Sequence, residues 1–108
     1  MTLVDLYRDG KSQGIVGFKV SGHAGFAEAG EDIVCAAIST LTINTVNSIE
    51  AFTSDKFELN TDEDGALIEL KMSSISNETR ILLQAFELGM NSIAKDNAQY
   101  LLINIKEV

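Results

Sequence analysis

Two stretches near the start of the chain are rich in apolar, β-branched and aromatic residues, as strands are. Residues 3–7 form the first stretch and residues 15–20 the second. In the second stretch, period two places alternate side chains on opposite faces. Asp9-Gly10-Lys11 supplies turn residues between them. The pattern predicts an antiparallel hairpin whose second strand ends at Ser21-Gly22.

A helical period replaces this alternation after a glycine-containing loop. Gly25 and Gly30 lie within that loop, which is predicted to span residues 22–31. Apolar side chains and one threonine then recur every three or four residues: Val34, Ile38, Leu41, Thr45, Ile49 and Phe52. Asp32 is the candidate N-cap, because its carboxylate can accept from free backbone N–H groups. We therefore predict a helix from about Asp32 to about Phe52.

The second half of the chain repeats the order of hairpin and helix. Residues 57–60 and 66–72 alternate with period two, and a turn ending in Asp-Gly is predicted at residues 61–65. Ser76 opens a second helix that ends at Asp96-Asn97, and residues 100–105 form a last strand. The order β-β-α-β-β-α-β predicts an α+β fold, with two helices on one face of a mainly antiparallel sheet.

Length and charge limit the function classes. A chain of 108 residues is expected to form one domain, spanning residues 1–108. Its net charge of −8 argues against direct binding of a nucleic-acid backbone, which requires clustered Lys and Arg. The acidity favours either a basic partner or simply solubility. No stretch approaches the roughly 18 consecutive apolar residues of a membrane span, so we expect no membrane partner.

The single cysteine and the single histidine carry the candidate chemistry. One cysteine excludes a disulfide within the chain, and the start of the sequence has no signal-like pattern, which favours the cytoplasm. If Asp32 caps the helix, Cys35 lies in its first turn, where backbone N–H groups favour a thiolate. The alternative is that Cys35 is a small buried hydrophobic residue.

His23 lies on the other side of the predicted loop from Cys35, with 11 residues between them. An imidazole brought back to the helix start could take the thiol proton and return it to a leaving amine. Alone, His23 could equally be a solvated loop residue. Ser39, one helical turn beyond Cys35, could line the same cleft or bond to a backbone carbonyl. A metal site lacks ligands at recognised spacing, and the glycines lack the pattern of a phosphate-binding loop.

Two short motifs resemble a known family. Gly22-His23-Ala24-Gly25, followed at the matching distance by Asp32-Ile33-Val34-Cys35-Ala36-Ala37, is similar to the signature of the ribosomal-processing cysteine proteases, called Prp. The order of strands and helices resembles that family along nearly the whole chain. The resemblance implies a catalytic dyad, with His23 as general base and Cys35 as nucleophile. It also implies a homodimer, a loop that moves to admit substrate, and no cofactor.

The resemblance further implies a substrate. Family members remove a short N-terminal extension from one basic large-subunit ribosomal protein, the twenty-seventh in the standard naming. Asp32 is then expected to orient the helix or His23, with Gly22, Gly25 and Ser39 as supporting or substrate-binding residues. Backbone N–H groups at the helix start are the expected oxyanion donors. Two other classes remain open: a non-catalytic ribosome-associated binding module with a buried, inert Cys35, and a redox sensor with a resolving cysteine from another subunit.

Overall fold

A computed structural model describes residues 1–22, 29–62 and 66–108 of the chain; for residues 29–32 it describes the backbone only. Five strands and two helices follow one another in the predicted order. They are β1 (Thr2–Arg8), β2 (Ile15–Ser21), α1 (Ala29–Phe52), β3 (Phe57–Asp62), β4 (Leu67–Met72), α2 (Asn77–Asp96) and β5 (Leu101–Glu107).

The strands form one mainly antiparallel sheet with the order β3-β4-β2-β1-β5. Both predicted hairpins are present: β1 pairs antiparallel with β2, and β3 with β4. β2 also pairs antiparallel with β4. β5 runs parallel to β1 and lies on the side of β1 away from β2. The predicted α+β class and element order are therefore confirmed.

One face of the sheet and both helices share the core. Because side chains alternate along a strand, every second residue of the central strands turns to the same face. The buried strand residues on that face include Val4, Leu6, Phe18, Val20 and Leu70. They pack with buried helix residues, among them Ile38 and Ile49 of α1 and Leu83, Phe86 and Met90 of α2. The two helices thus cover the face on which Thr2 also lies.

The helix α2 begins and ends where the sequence predicts. Ser76 has an extended backbone and its side chain accepts from the N–H of Thr79, at 3.3 Å. Such an N-cap satisfies one of the free donors of the first turn. Asn97 follows the last residue, and its N–H donates to the carbonyl of Ala94. Local capping chemistry was therefore sufficient to place both ends of this helix.

The start of α1 corrects the prediction. The helix begins at Ala29, three residues before Asp32, so Asp32 is not the N-cap and residues 29–31 do not belong to the loop. Ala29 and Glu31 are good helix formers, and acidic residues are favoured near a helix N-terminus, so extending the helix costs little free energy. In the second hairpin, likewise, Thr61 and Asp62 continue β3 rather than opening the turn; residues 63–65 lie outside the described residues.

The helix α1 carries few charges on its outer side. By length and composition alone, Ile33–Phe52 could cross a membrane. Its other side, however, packs into the core through Val34, Ile38, Val46 and Ile49, all at most 6% exposed. A core helix that is apolar on its inner side and carries few charges on its outer side can have the same length and composition.

Candidate active site

Cys35 lies on α1 at the point where that helix passes the start of β1. The residue is half-buried, and its thiol is free. Its Sγ is 3.8 Å from Oγ1 of Thr2, and either atom can be the donor in this contact. The Thr2 hydroxyl is also 3.5 Å from the carbonyl oxygen of Gly22. Thr2 therefore stands between the thiol and the backbone of the residue that precedes His23.

An open cavity of about 520 Å³ borders the thiol. Its walls come from the start of β1, from β2 and α1, and from the end of β3 and the start of β4. The apolar lining includes Val20, Ile38, Ile43, Leu67 and Ile68. Polar lining is supplied mostly by hydroxyl groups, and Asp62 is the only charged residue among the described lining residues. A mostly apolar cavity with a few polar groups beside a thiol can receive one or two side chains of an extended peptide.

Gly22 holds a backbone conformation that other residues rarely adopt. Its φ is +88°, in the left-handed region, where an L side chain is strained. A Cβ built at this position would lie 2.8 Å from the carbonyl oxygen of Met1. The turn out of β2 toward His23 thus requires glycine for two independent reasons, conformation and space.

The structure places some of the other predicted site residues. Ser39 is exposed and lines the same cavity as Cys35, one turn further along α1. Thr42, three residues after Ser39, lines this cavity too, and its hydroxyl donates to the carbonyl of Ile38 at 2.7 Å. His23 and Gly25 lie outside the described residues, and for Asp32 only the backbone is described. The proximity of His23 to Cys35 therefore stays a prediction.

The early start of α1 changes the expected electrostatics of the thiol. Cys35 is the seventh residue of the helix rather than a member of its first turn. In an α-helix the free N–H groups belong to the first four residues, and later N–H groups donate to the carbonyl four positions earlier. The free donors therefore belong to residues 29–32. The expectation that Cys35 lies in the first turn, among these free donors, is therefore wrong.

A comparison with protein families shows which family this chain belongs to. The family described as "Cysteine protease Prp" matches residues 1–102. The chain belongs to the Prp family of cysteine proteases. A relative in Staphylococcus aureus, the ribosomal processing cysteine protease Prp, is 30% identical over 88 residues, which cover 81% of this chain and 83% of the relative.

Solved Prp structures share the fold over almost the whole chain. The crystal structure of the essential ribosomal processing protease Prp from S. aureus with a substrate peptide matches with a TM-score of 0.90 at 26% identity, covering 98% of this chain and 100% of that one. The same S. aureus protease with a covalently linked product peptide matches with a TM-score of 0.87, at the same identity and coverage. The fold of this chain is therefore one on which a Prp protease binds peptide.

Sequence reasoning missed part of the lining of the cavity beside Cys35. Thr2, Thr61 and Ile68 come from three different strands, and nothing in the local pattern of each strand connects it with Cys35. Ile38, which does line the cavity, follows Cys35 by about one turn and could be found from helical spacing. The sequence also suggests Phe26 and the methyl groups of Ala24 and Ala27 as pocket walls, but these residues lie outside the described part of the chain.

Proposed function

We propose that this protein is an endopeptidase that removes the N-terminal extension of a large-subunit ribosomal protein, with Cys35 as nucleophile and His23 as general base. One observation carries the proposal: a half-buried free thiol borders an open, mainly apolar cavity in a chain of the Prp family. The S. aureus relative supports it, because that protease has been solved with a substrate peptide and with a covalently linked product peptide.

The proposed reaction has two stages. In the first, Cys35 Sγ attacks the scissile carbonyl carbon while the thiol proton passes to the His23 imidazole. The carbon–nitrogen bond then breaks, His23 gives the proton to the leaving amine, and a thioester with Cys35 remains. In the second stage a water molecule attacks the thioester as His23 takes its proton. Breaking the carbon–sulfur bond releases the new carboxylate and restores the thiol.

The cavity is the proposed site for side chains next to the scissile bond. Its lining by Val20, Ile38 and Ile68 favours apolar side chains, and its volume of about 520 Å³ suits one or two of them. Ser39 and Asp62, at the same cavity, are proposed to contact the peptide. Gly22 is proposed to support the site by carrying the backbone from β2 to His23, and Gly25 is proposed as a second supporting residue. Asp32 is proposed to orient α1 or His23.

Assembly and location complete the proposal. We expect a cytoplasmic homodimer of one-domain subunits. Outward residues of α1 are uncharged over several turns: Ile33, Ala36, Thr40, Asn47 and Ala51 are all exposed. A second copy could cover this face without desolvating charges. Sedimentation of the wild type should report a dimer, and Thr40→Arg should shift it toward monomer, whereas Gln84→Arg on the exposed side of α2 should not.

The competing function is a binding module with an inert cysteine. The position of Cys35 disfavours it, because the residue is half-buried and borders the cavity instead of lying in the core. A module of this kind would bind the ribosomal protein without cutting it, and Cys35→Ala would leave that binding unchanged. A redox sensor would instead show a disulfide between two subunits through Cys35.

Cleavage of the extended ribosomal protein tests the proposal. We would incubate it with the wild type and with Cys35→Ala, Cys35→Ser and His23→Ala, and identify the released peptide by mass spectrometry. Each variant should lose at least about 10³-fold in kcat while keeping the wild-type melting temperature. Stopping the reaction with acid should trap a thioester on the wild type alone. Cleavage by Cys35→Ala at the wild-type rate would rule out the proposal.

A further inference from the structure

The hydroxyl of Thr2 joins the two chain segments on which the proposed dyad depends. Its oxygen is 3.5 Å from the Gly22 carbonyl oxygen, directly before His23, and 3.8 Å from Cys35 Sγ. These contacts link residues that are 20 and 33 positions apart in the chain. Residues 23–28 connect the same two segments along the chain. Thr2 thus provides a second connection, through space, between them.

Thr2 is well fixed for such a role. Its side chain and backbone are buried, with only 3% of the residue exposed. Its N–H donates to the carbonyl of Tyr100 at 2.9 Å, and it pairs with Leu101 in the parallel ladder between β1 and β5. The position of the hydroxyl is therefore set by the sheet, while the two groups it meets belong to a turn and to a helix.

We propose that Thr2 is a positioning residue that orients the Cys35 thiol and stabilises its ionised form. The inference rests on the proposed function, since it takes Cys35 to be the nucleophile. A hydroxyl has one proton and can also accept. Beside a neutral thiol, the Thr2 hydroxyl donates to the Gly22 carbonyl and accepts from the S–H group. Once the thiol proton has left, the hydroxyl turns and donates to the sulfur anion.

The surroundings make this one donor important. The described residues that line the cavity beside the thiol are mainly apolar or carry hydroxyl groups, and Asp62 is the only charged residue among them. A hydrogen bond to an anion is stronger in such a setting than in water, and Asp62 offers no positive charge that could replace it. The same rotation of the hydroxyl breaks its hydrogen bond to the Gly22 carbonyl. Ionisation of Cys35 is thereby coupled to the backbone that leads to His23.

Isosteric substitution separates this role from simple packing. Thr2→Val keeps the branched shape and removes only the hydroxyl, whereas Thr2→Ser keeps the hydroxyl and removes a methyl group. Thr45→Val is the matched control, because Thr45 is also a buried threonine whose hydroxyl meets a helix carbonyl, that of Leu41, at 2.7 Å. Thr45 is not among the residues that line the cavity.

Three measurements on the full-length variants test the inference: kcat and KM for a peptide containing the cleavage site, the rate of thiol alkylation against pH, and the melting temperature. Thr2→Val should lower kcat about tenfold with KM within about twofold of the wild type. The midpoint of its alkylation profile should move to higher pH. Thr2→Ser should restore both values, and Thr45→Val should change neither.

The outcomes distinguish failure of this inference from failure of the proposed function. If Cys35→Ala is inactive but Thr2→Val has the wild-type kcat and alkylation profile, Thr2 has no positioning role and the proposed function stands. A loss in Thr2→Val that Thr2→Ser does not restore, together with an unmoved alkylation midpoint, assigns Thr2 to packing and overturns the inference. If Cys35→Ala cleaves normally, both proposals fail.

Discussion

The ring of Phe18 in β2 stacks on the ring of Phe86 in α2, with centroids 4.1 Å apart and planes 15° apart. Both residues are fully buried. β2 is the strand that ends immediately before Gly22, so this stack attaches the strand leading to His23 to the helix layer behind it. The stack lies in the core rather than at the cavity, and it supports the site through the sheet.

Removing one ring of this stack should destabilise the whole protein. Phe86→Ala deletes a large buried side chain and leaves a cavity, and such changes cost about 3–5 kcal/mol of unfolding free energy. Urea unfolding monitored by circular dichroism measures the loss. Leu88→Ala is the control on the same helix, since Leu88 is 69% exposed, and it should change the free energy by no more than about 0.5 kcal/mol. Equal losses in the two variants would contradict the assignment of Phe86 to the core.

Gly22→Ala should impair both folding and cleavage. The substitution forces an alanine into φ +88° and brings its Cβ to 2.8 Å from the Met1 carbonyl oxygen. Strain of this kind costs about 1–3 kcal/mol, and relieving it displaces the backbone that carries His23. We expect a lower melting temperature and a fall in kcat/KM that persists at temperatures where the variant is fully folded.

Gly14→Ala provides the comparison for that prediction. A Cβ at Gly14 would meet the end of the flexible Arg80 side chain, at 3.1 Å, and Gly14 does not have a positive φ. This variant should keep its kcat/KM and lose little stability. If Gly22→Ala behaves as Gly14→Ala does, the conformation of Gly22 is not a requirement of the site.

Local patterns in the sequence predicted most of the fold. Apolar and β-branched runs, most of them with period-two alternation, located the strands of both hairpins, and Ser76 marked the start of α2, because each of these signals depends only on neighbouring residues. The predicted start of α1 was wrong because it, too, relied on neighbouring residues alone. Asp32 is a good N-cap, but an upstream segment with Ala29 and Glu31 also favours helix, and a few tenths of a kcal/mol decide between them.

The candidate site could be predicted only where it follows from one stretch of chain. Helical spacing relates Ser39 to Cys35; the family resemblance adds His23, whose place beside Cys35 stays a prediction. The contact of Thr2 with Cys35 depends on where β1 lies in the sheet, with β2 on one side and β5 parallel to it on the other. An alternating pattern shows that a segment is a strand but not which strands it pairs with, so this contact had no signal in the sequence.

Stability at low pH should depend on Asp55. Its carboxylate accepts from the backbone N–H and the hydroxyl of Ser76, at 2.8 and 2.7 Å, and from the hydroxyl of Thr79. These hydrogen bonds, from the Ser76 hydroxyl first and then from Thr79, hold the pKa of Asp55 below its ordinary value. A lowered pKa in the folded state means that the charged carboxylate adds stability above the unfolded-state pKa, and that this stability is lost as pH falls through the folded-state pKa.

The comparison of wild type with Asp55→Asn isolates this contribution from other carboxylates. At pH 7 the variant should be less stable, because an amide cannot supply the same charge-assisted hydrogen bonds to Ser76 and Thr79. The difference should begin to shrink once the pH falls below about 4, the ordinary Asp pKa that applies in the unfolded state, and should go on shrinking as the pH falls through the lower folded-state pKa. Urea unfolding at a series of pH values from 7 to 3 measures it. A difference that stays constant over the series would show that the charge of Asp55 does not matter.

The net charge of −8 should accelerate capture of a basic substrate. Ribosomal proteins are rich in Lys and Arg, and opposite charges raise the rate of encounter until salt screens them beyond about 8–10 Å. The cavity beside Cys35 is mainly apolar, so side chains at the scissile bond are expected to be held by contacts that salt does not weaken. Charge should therefore govern the encounter with the whole protein, and apolar fit should govern the bond that is cut.

A salt series separates these two contributions. Between about 0.05 and 0.5 M NaCl, kcat/KM for the extended ribosomal protein should fall on the order of tenfold, because the screening length becomes shorter than the distances over which steering acts. A short neutral peptide with the same cleavage site should change by less than about twofold and so serves as the control for direct effects of salt on catalysis. Replacing a large apolar residue beside the scissile bond by alanine should slow cleavage of both substrates at every salt concentration. If the protein and the peptide respond to salt in parallel, steering is absent, and the acidity of the chain serves solubility alone.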